Sequence, residues 1–162
     1  MRKDLAVGKI GEENFIKILK KGKVKAKSNE KKEDRSFYDI KAEIGGKNFT
    51  VEVKNDLYAA KSGNIAIEVY NPHSNKKSGL SITKSDLWVH IVDNEYWVTK
   101  TKDLKSFVSK NPPFKTFDNA GDGNANILLY KVETILPEIF HRADNLSAKN
   151  IKKLISELIL QG

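Results

Sequence analysis

Asp39 and the run Glu52-Val53-Lys54 are the residues best placed to do chemistry in this chain. Phe37 to Ile44 and Phe49 to Lys54 both alternate in residue type, and Gly45-Gly46 lies between them. Two glycines flanked by alternating segments are the signal of a tight two-residue hairpin. With those glycines as the loop, Ile44 pairs with Lys47, and counting back along both strands sets Asp39 opposite Glu52. Opposed residues on one sheet face have Cβ atoms roughly 4.5–5.5 Å apart. Two carboxylates so placed repel unless a cation lies between them. Lys54, two residues past Glu52, projects from the same face. Two acids and a lysine on one face suit metal-assisted phosphodiester chemistry. Mg²⁺ is held by one or two carboxylates plus water and phosphate oxygens. It polarises the phosphodiester and acidifies an attacking water. Lys54 would orient that water or neutralise charge developing on the phosphate.

The hairpin register is well specified. One side pairs Tyr38 with Val53, Ile40 with Val51 and Ala42 with Phe49; the other pairs Asp39 with Glu52 and Lys41 with Thr50. The register that buries the apolar pairs therefore opposes the carboxylates, and a one-residue slip would turn the apolar set outward. Upstream, residues 3–21 read as a helix. Glu12, Phe15, Ile16 and Leu19 share one of its faces, whereas Glu13, Lys17 and Lys20 share the polar one. Glu12, not Glu13, therefore points toward the packed side, where an unpaired carboxylate is costly.

The remaining pattern predicts a strand over 23–27, a polar connection over 28–36, a loop with some helical potential over 55–63, and a strand over 64–70. On that strand Ile65, Ile67 and Val69 face one way and Ala66 and Glu68 the other. Glu68 is a further site candidate on one condition: that its strand neighbours that of Glu52. Thr83-Lys84-Ser85-Asp86 resembles a capping box opening a short helix to about Ile91. A strand over 95–99, a helix capped by Thr101 through Ser109, a break at Asn111-Pro112-Pro113, a loop over 119–124, a strand over 127–132 and an amphipathic helix over 147–160 complete the chain. The order implies an α/β fold around a mixed central sheet.

The 162 residues fit a single domain, with a core over about 3–132 and a C-terminal helical extension over about 137–161. Apolar residues make up 39% and charged residues 31%, which excludes a disordered chain. The net charge of +8 favours polyanionic partners, nucleic acid or anionic lipid. Absence of cysteine excludes disulfides and thiolate metal sites. No segment approaches the about 18 apolar residues of a membrane span, and no signal-length apolar run opens the chain, so a cytoplasmic location is expected.

Asp39, twelve intervening residues and then Glu52-Val53-Lys54 resembles the core motif of the PD-(D/E)xK nuclease superfamily. The Gly8-Lys-Ile-Gly-Glu12 segment is similar to the helix that often supplies these enzymes with another acid. The stretch from Ser78 to Trp88, followed by Tyr96-Trp97-Val98, resembles the elements after the catalytic hairpin. The pattern is similar to Holliday-junction resolvases and phage-type endonucleases over roughly residues 5–132. It departs at Tyr38, where the nominal proline of the motif would stand. The resemblance implies a restriction-endonuclease-like fold and a Mg²⁺-dependent deoxyribonuclease, with Mn²⁺ able to substitute and junction-resolving cleavage within its range. It implies Asp39, Glu52 and the Val53 carbonyl as metal ligands, Lys54 as catalytic lysine, and Glu12 as an additional metal or water contact.

DNA would then meet the dense basic stretch that includes Lys17, Lys20, Lys21, Lys23, Lys25, Lys27, Lys31 and Lys32, with Ser36 as a further contact and Lys61, Lys76, Lys77 and Lys84 near the site loops. The rival reading is a non-catalytic nucleic-acid-binding protein on the same fold, using that basic stretch alone. A homodimer is compatible with symmetric cutting of two strands; the last helix could supply its interface, but covering the sheet is the preferred role. His73 lies in a polar loop, His90 and His141 read as packing residues, Trp88 and Trp97 as core, and Gly121-Asp122-Gly123 as a turn.

Overall fold

The computed structural model describes residues 2–30, 37–71, 76–120 and 125–161. Of the residues singled out above, Lys31, Lys32, Ser36, His73 and the Gly121-Asp122-Gly123 turn lie outside them. The elements in order are α1 (Arg2–Lys21), β1 (Lys25–Ser28), β2 (Ile40–Ile44), β3 (Lys47–Asp56), α2 (Ala59–Ser62), β4 (Asn64–Asn71), β5 (Lys76–Lys77), a 3-10 turn (Gly79–Ser81), β6 (Leu87–Val92), β7 (Glu95–Lys100), α3 (Thr101–Lys110), β8 (Lys115–Ala120), β9 (Ala125–Lys131), α4 (Val132–Ile139), β10 (His141–Arg142) and α5 (Ala148–Leu160). Among the described residues no helix is long and apolar enough to cross a membrane.

A six-stranded mixed sheet, ordered β1-β2-β3-β6-β7-β10, forms the centre. Its neighbours run antiparallel except for the parallel pair β3–β6. A second, antiparallel sheet is ordered β5-β4-β9-β8. The expected α/β class with a mixed central sheet and flanking helices is what the chain adopts.

Two hydrophobic cores lie on the two faces of the central sheet, because its strands alternate. Ile40, Ala42, Phe49, Val51, Val53, Leu87, Val89, Ile91, Tyr96 and Val98 face one core. Phe15 and Leu19 of α1 and Ile151, Ile155 and Ile159 of α5 cover it, so α5 packs on the sheet. Gly11 lets α1 approach closely: a Cβ there would meet Ile91 Cδ1 at 2.8 Å. Trp88 and Val92 face the other core, closed by Ile65 and Ile67 of β4, Tyr130 of β9, Leu104 of α3 and Ile135 and Leu136 of α4. The central sheet enters this second core through β6, with Trp97 of β7 packed against it, and not through β1 or β2.

The hairpin forms in the expected register, from Ile44↔Lys47 to Ile40↔Val51. Gly45 and Gly46 have φ of +56° and +79°, the conformation that a tight primed turn requires. Strand pairing ends at Ile40, so neither the Asp39–Glu52 nor the Tyr38–Val53 pair forms: the Asp39 N–H turns to the Val51 carbonyl at 2.9 Å, and the Asn29 side-chain amide takes up the Tyr38 carbonyl at 3.1 Å.

The expected helix over 83–91 is a strand, β6. Leu87 to Val92 is buried at every position, which a β-branched and aromatic run satisfies when both faces of a sheet are covered. The capping-box residues belong to the loop before it: Thr83 Oγ1 accepts from the Ser85 N–H at 3.2 Å and donates to the Phe37 carbonyl at 2.9 Å. Thr101 is the first residue of α3 and not its cap; it is buried, with its hydroxyl 2.9 Å from that of Ser85. Strand β8 and helix α4 were not expected, and His141 is exposed where packing was expected.

Candidate active site

Three carboxyl side chains meet where α1 passes the end of the hairpin. Asp39 stands one residue before β2. Its N–H bonds to the Val51 carbonyl at 2.9 Å, and its Oδ2 accepts from the Val53 N–H at 2.9 Å. Glu52 and Lys54 lie on the face of β3 turned away from α1, beside Trp88 on β6. Lys54 Nζ is 3.2 Å from Glu52 Oε1 and 5.9 Å from the Trp88 ring centre. The Glu12 carboxyl comes within hydrogen-bonding reach of Asp39, and Asp39 within reach of Glu52. The acids are linked in series, Glu12 to Asp39 to Glu52. They do not form a ready-made cage: no group of three His, Cys, Asp or Glu among the described residues is arranged as one.

The surroundings make these acids reluctant to ionise together. Burial, then the charge and hydrogen bond of Asp39, push Glu12 up to about 7. Burial likewise raises Glu52 to about 7, with the Lys54 ammonium opposing the shift and the Asp39 charge adding to it. Asp39 is raised by burial against the opposing Val53 N–H and Lys54. Burial disfavours the Lys54 ammonium, but the charges of Glu52 and Asp39 outweigh it and hold Lys54 above its ordinary value. Glu52 Oε2 is buried and has no hydrogen-bond partner among the described residues. A buried acceptor left unpaired costs about 1–3 kcal/mol.

The face carrying Glu52 is not the solvated sheet face that alternation alone would suggest. Sheet β4–β9 covers its far part and leaves a cavity of about 490 Å³ lined by Lys54, Asp56, Tyr58, Glu68, Trp88 and His90, among others. Glu68 reaches this cavity by a different route from the one expected. Its strand β4 does not neighbour β3; it pairs with β5 and β9 in the second sheet. Its charge nevertheless acts on Lys54 across the cavity.

Sequence reasoning missed one pair here. His90 is fully buried, and its Nε2 lies 2.9 Å from Asp56 Oδ2, while Trp88 Nε1 donates to His90 Nδ1 at 3.2 Å. Asp56 Oδ2 also accepts from the Ala66 N–H at 2.8 Å. Because Trp88 donates to Nδ1, the neutral ring carries its proton on Nε2 and gives it to Asp56. No local signal joins them, because residues 83–91 read as a helix and the shared face arises only from the parallel pairing of β3 with β6.

The lysines expected to bind DNA divide into two groups. Lys20, Lys21 and Lys23 lie at and just beyond the C-terminal end of α1. Lys20 is eight residues from Glu12, about 12 Å along the helix axis, and Lys21 Nζ donates to the Leu146 carbonyl at 3.1 Å. Lys25 lies instead on β1, on the sheet face that carries Glu52.

No protein-family profile and no curated protein matches the sequence. Among solved structures, the chain is similar to that of a bacterial homing endonuclease, I-Ssp6803I, with 17% identity and a TM-score of 0.48, over 96% of this chain and 90% of that one.

Proposed function

We propose that this protein is a Mg²⁺-dependent DNA endonuclease with a restriction-endonuclease-like, PD-(D/E)xK arrangement of its site. The observation that carries the reading is Glu52: a buried carboxylate with one oxygen unpartnered among the described residues, beside a second acid and in contact with a lysine. Carboxylate oxygens are the donors that Mg²⁺ prefers, and an orphaned acceptor beside another acid is a position that a hard cation would satisfy. Asp39 and Glu52 would hold the ion, with the Val53 carbonyl and Glu12 as further oxygen donors and Mn²⁺ as a substitute. When bound, the ion supplies Lewis-acid polarisation of the phosphodiester and a more acidic water.

The protein's own contribution is positional and electrostatic. The Val53 N–H fixes the Asp39 carboxylate. The Lys54 ammonium, kept charged by its acidic neighbours, stabilises negative charge growing on the phosphoryl oxygens. Glu12, protonated up to about neutral pH, can hold or accept a proton at the edge of the site. The cavity beneath Lys54 offers room for a group of the substrate beside the reacting phosphate.

The test is cleavage of plasmid and branched DNA in Mg²⁺ or Mn²⁺. Asp39→Ala and Lys54→Ala are each expected to reduce cleavage by about 10²-fold or more. Cleavage as fast as that of the wild type in either variant would overturn the assignment. Salt-sensitive DNA binding without metal-dependent cleavage would favour the non-catalytic reading.

A further inference from the structure

Lys27 and Lys41 are directly opposed across the β1–β2 pair. Both project from the face that carries Glu43, Asn48 and Thr50, opposite to the face that Ala42, Phe49 and Val51 bury. Like charges directly opposite in a sheet are destabilising. A solvated antiparallel pair would more economically set a lysine against an acid, as Lys25↔Glu43 does in the same two strands. Among the described residues neither Lys27 nor Lys41 forms an ion pair; the Lys41 ammonium lies over the Tyr38 ring at 5.8 Å.

The row continues laterally. Lys41 pairs with Thr50 on β3, and Thr50 stands two residues from Glu52 on the same face. Two residues along a strand span about 6.6–6.8 Å. One row of the sheet thus presents Glu52, with Asp39 beside it just before β2 begins, and the next row presents two opposed ammonium groups. The second sheet stops short of β1 and β2, so this wing lines an open cavity of about 670 Å³. Lys25 stands at its edge, and Asp86 is already engaged, accepting from the Thr50 N–H at 2.9 Å.

We propose that Lys27 and Lys41 form a phosphate-binding site for the substrate strand, holding a phosphodiester one row from the acids while its neighbour lies over Glu52 and Lys54. The inference rests on the nuclease reading for the identity of the polyanion. The paired lysines themselves require only an anion of repeating charge whose successive groups match the row spacing. The site gives the strand a direction across the sheet, from the β1 edge over β2 toward β3. It also separates Lys27 and Lys41 from Lys20 and Lys23, which carry the same charge at the end of α1.

The experiment uses the full chain with Glu52→Gln, so that bound DNA stays intact. Anisotropy of a fluorescein-labelled oligonucleotide is followed across a KCl series for this protein and for versions also carrying Lys27→Ala with Lys41→Ala, Lys27→Arg with Lys41→Arg, or Lys152→Ala with Lys153→Ala. The last pair removes the same charge from α5, on the other side of the sheet. Loss of two phosphate contacts lowers the slope of log affinity against log salt by about 1.4 for a single strand and about 1.8 for a duplex. That drop, with at least about tenfold weaker binding at moderate salt, is expected for the double alanine variant. The arginine pair should restore both, and the α5 pair should change the slope by less than half as much. An unchanged slope in the double alanine variant, an equal loss in the α5 pair, or no salt-dependent binding by the Glu52→Gln protein overturns the site. Failure of the nuclease reading shows differently: wild-type protein that does not cleave, while Lys27 and Lys41 still govern binding, leaves the anion site standing.

Discussion

Glu52 and Asp56 stand four residues apart on one strand, share one face, and keep nearly the same side-chain exposure, 8% and 7%. Their environments drive them in opposite directions. Asp56 is held below the usual carboxylate value: burial works against it, but the His90 ring and the Ala66 and Tyr58 N–H groups more than compensate. Glu52 is pushed up to about 7, with one lysine, an acidic neighbour and an oxygen that has no hydrogen-bond partner among the described residues. With side-chain exposure nearly equal, the hydrogen-bond donors around Asp56 and the acidic neighbour of Glu52 set them apart. Asp56 is complete within the protein and ties β3 to β4 and β6. Glu52 keeps one oxygen without a hydrogen-bond partner among the described residues, and the proposed cation site rests on that oxygen. That contrast is the one expected between a structural carboxylate and the proposed cation ligand.

The largest expected effect falls on activity. Glu52→Gln keeps the shape of the side chain but removes its charge, and it should lower DNA cleavage in Mg²⁺ by about 10²–10³-fold. The same substitution should leave the protein at least as stable as the wild type at pH 8 by urea unfolding. Asp56→Ala should do the reverse. It strands the His90 ring and the Ala66 N–H in the interior, and urea unfolding should register a loss of about 2–4 kcal/mol. Its cleavage rate per folded molecule should stay within a few-fold of the wild type. If both variants lose activity and stability together, the distinction between the two carboxylates fails.

Much of the Glu52 side of this contrast is legible in the sequence. Gly45-Gly46 and the apolar alternation set the hairpin register, because only one register buries Ile40, Val51, Ala42 and Phe49 together. Helical phase separates Glu12 from Glu13 for a similar reason, since Phe15 and Leu19 must face the sheet. Features that depend on distant parts of the chain are not legible. Leu87 to Val92 is apolar without a period of two, because sheet β4–β9 covers its second face, and a local capping pattern outweighs that run. The same covering sheet brings Glu68 and His90 to the cavity, and nothing in the local sequence around Glu52 announces it. Strand β8, with Lys115, Thr116 and Phe117 against Leu129, Leu128 and Ile127, is polar enough to read as loop and, among the described strands, pairs with β9.

A smaller effect is the dependence of stability on pH. In the folded protein Glu12 and Glu52 keep protons up to about 7, whereas their ordinary value is 4.5. The folded state therefore binds more protons than the unfolded state between those values. Without divalent cation, stability should fall as pH rises from about 4.5 through about 7. Asp56 acts with the opposite sign: its stabilisation is present above the ordinary carboxylate value and is lost as pH falls through its lowered folded value. Urea unfolding across pH 4 to 8 in a chelator should show the downward slope in the wild type and a shallower one in Glu52→Gln. A slope that rises through this window would contradict the strained acid cluster.

The smallest effect concerns the link between the two carboxylates. Trp88 donates to His90 on one side and lies beneath the Lys54 ammonium on the other. Trp88→Phe removes the donor while keeping an aromatic face, and it should cost about 0.5–1.5 kcal/mol in unfolding. The change in cleavage should be smaller than for any substitution at Glu52 or Lys54.

The most direct measurement is a calorimetric titration of Mn²⁺ at pH 8 into the wild type, Glu52→Gln and Asp56→Asn. The acid cluster predicts saturable binding in the wild type, its loss in Glu52→Gln, and its retention in whatever fraction of Asp56→Asn remains folded. Binding to Glu52→Gln as tight as to the wild type, or no saturable binding to the wild type, would contradict the assignment of Glu52 as the incomplete carboxylate of a cation site.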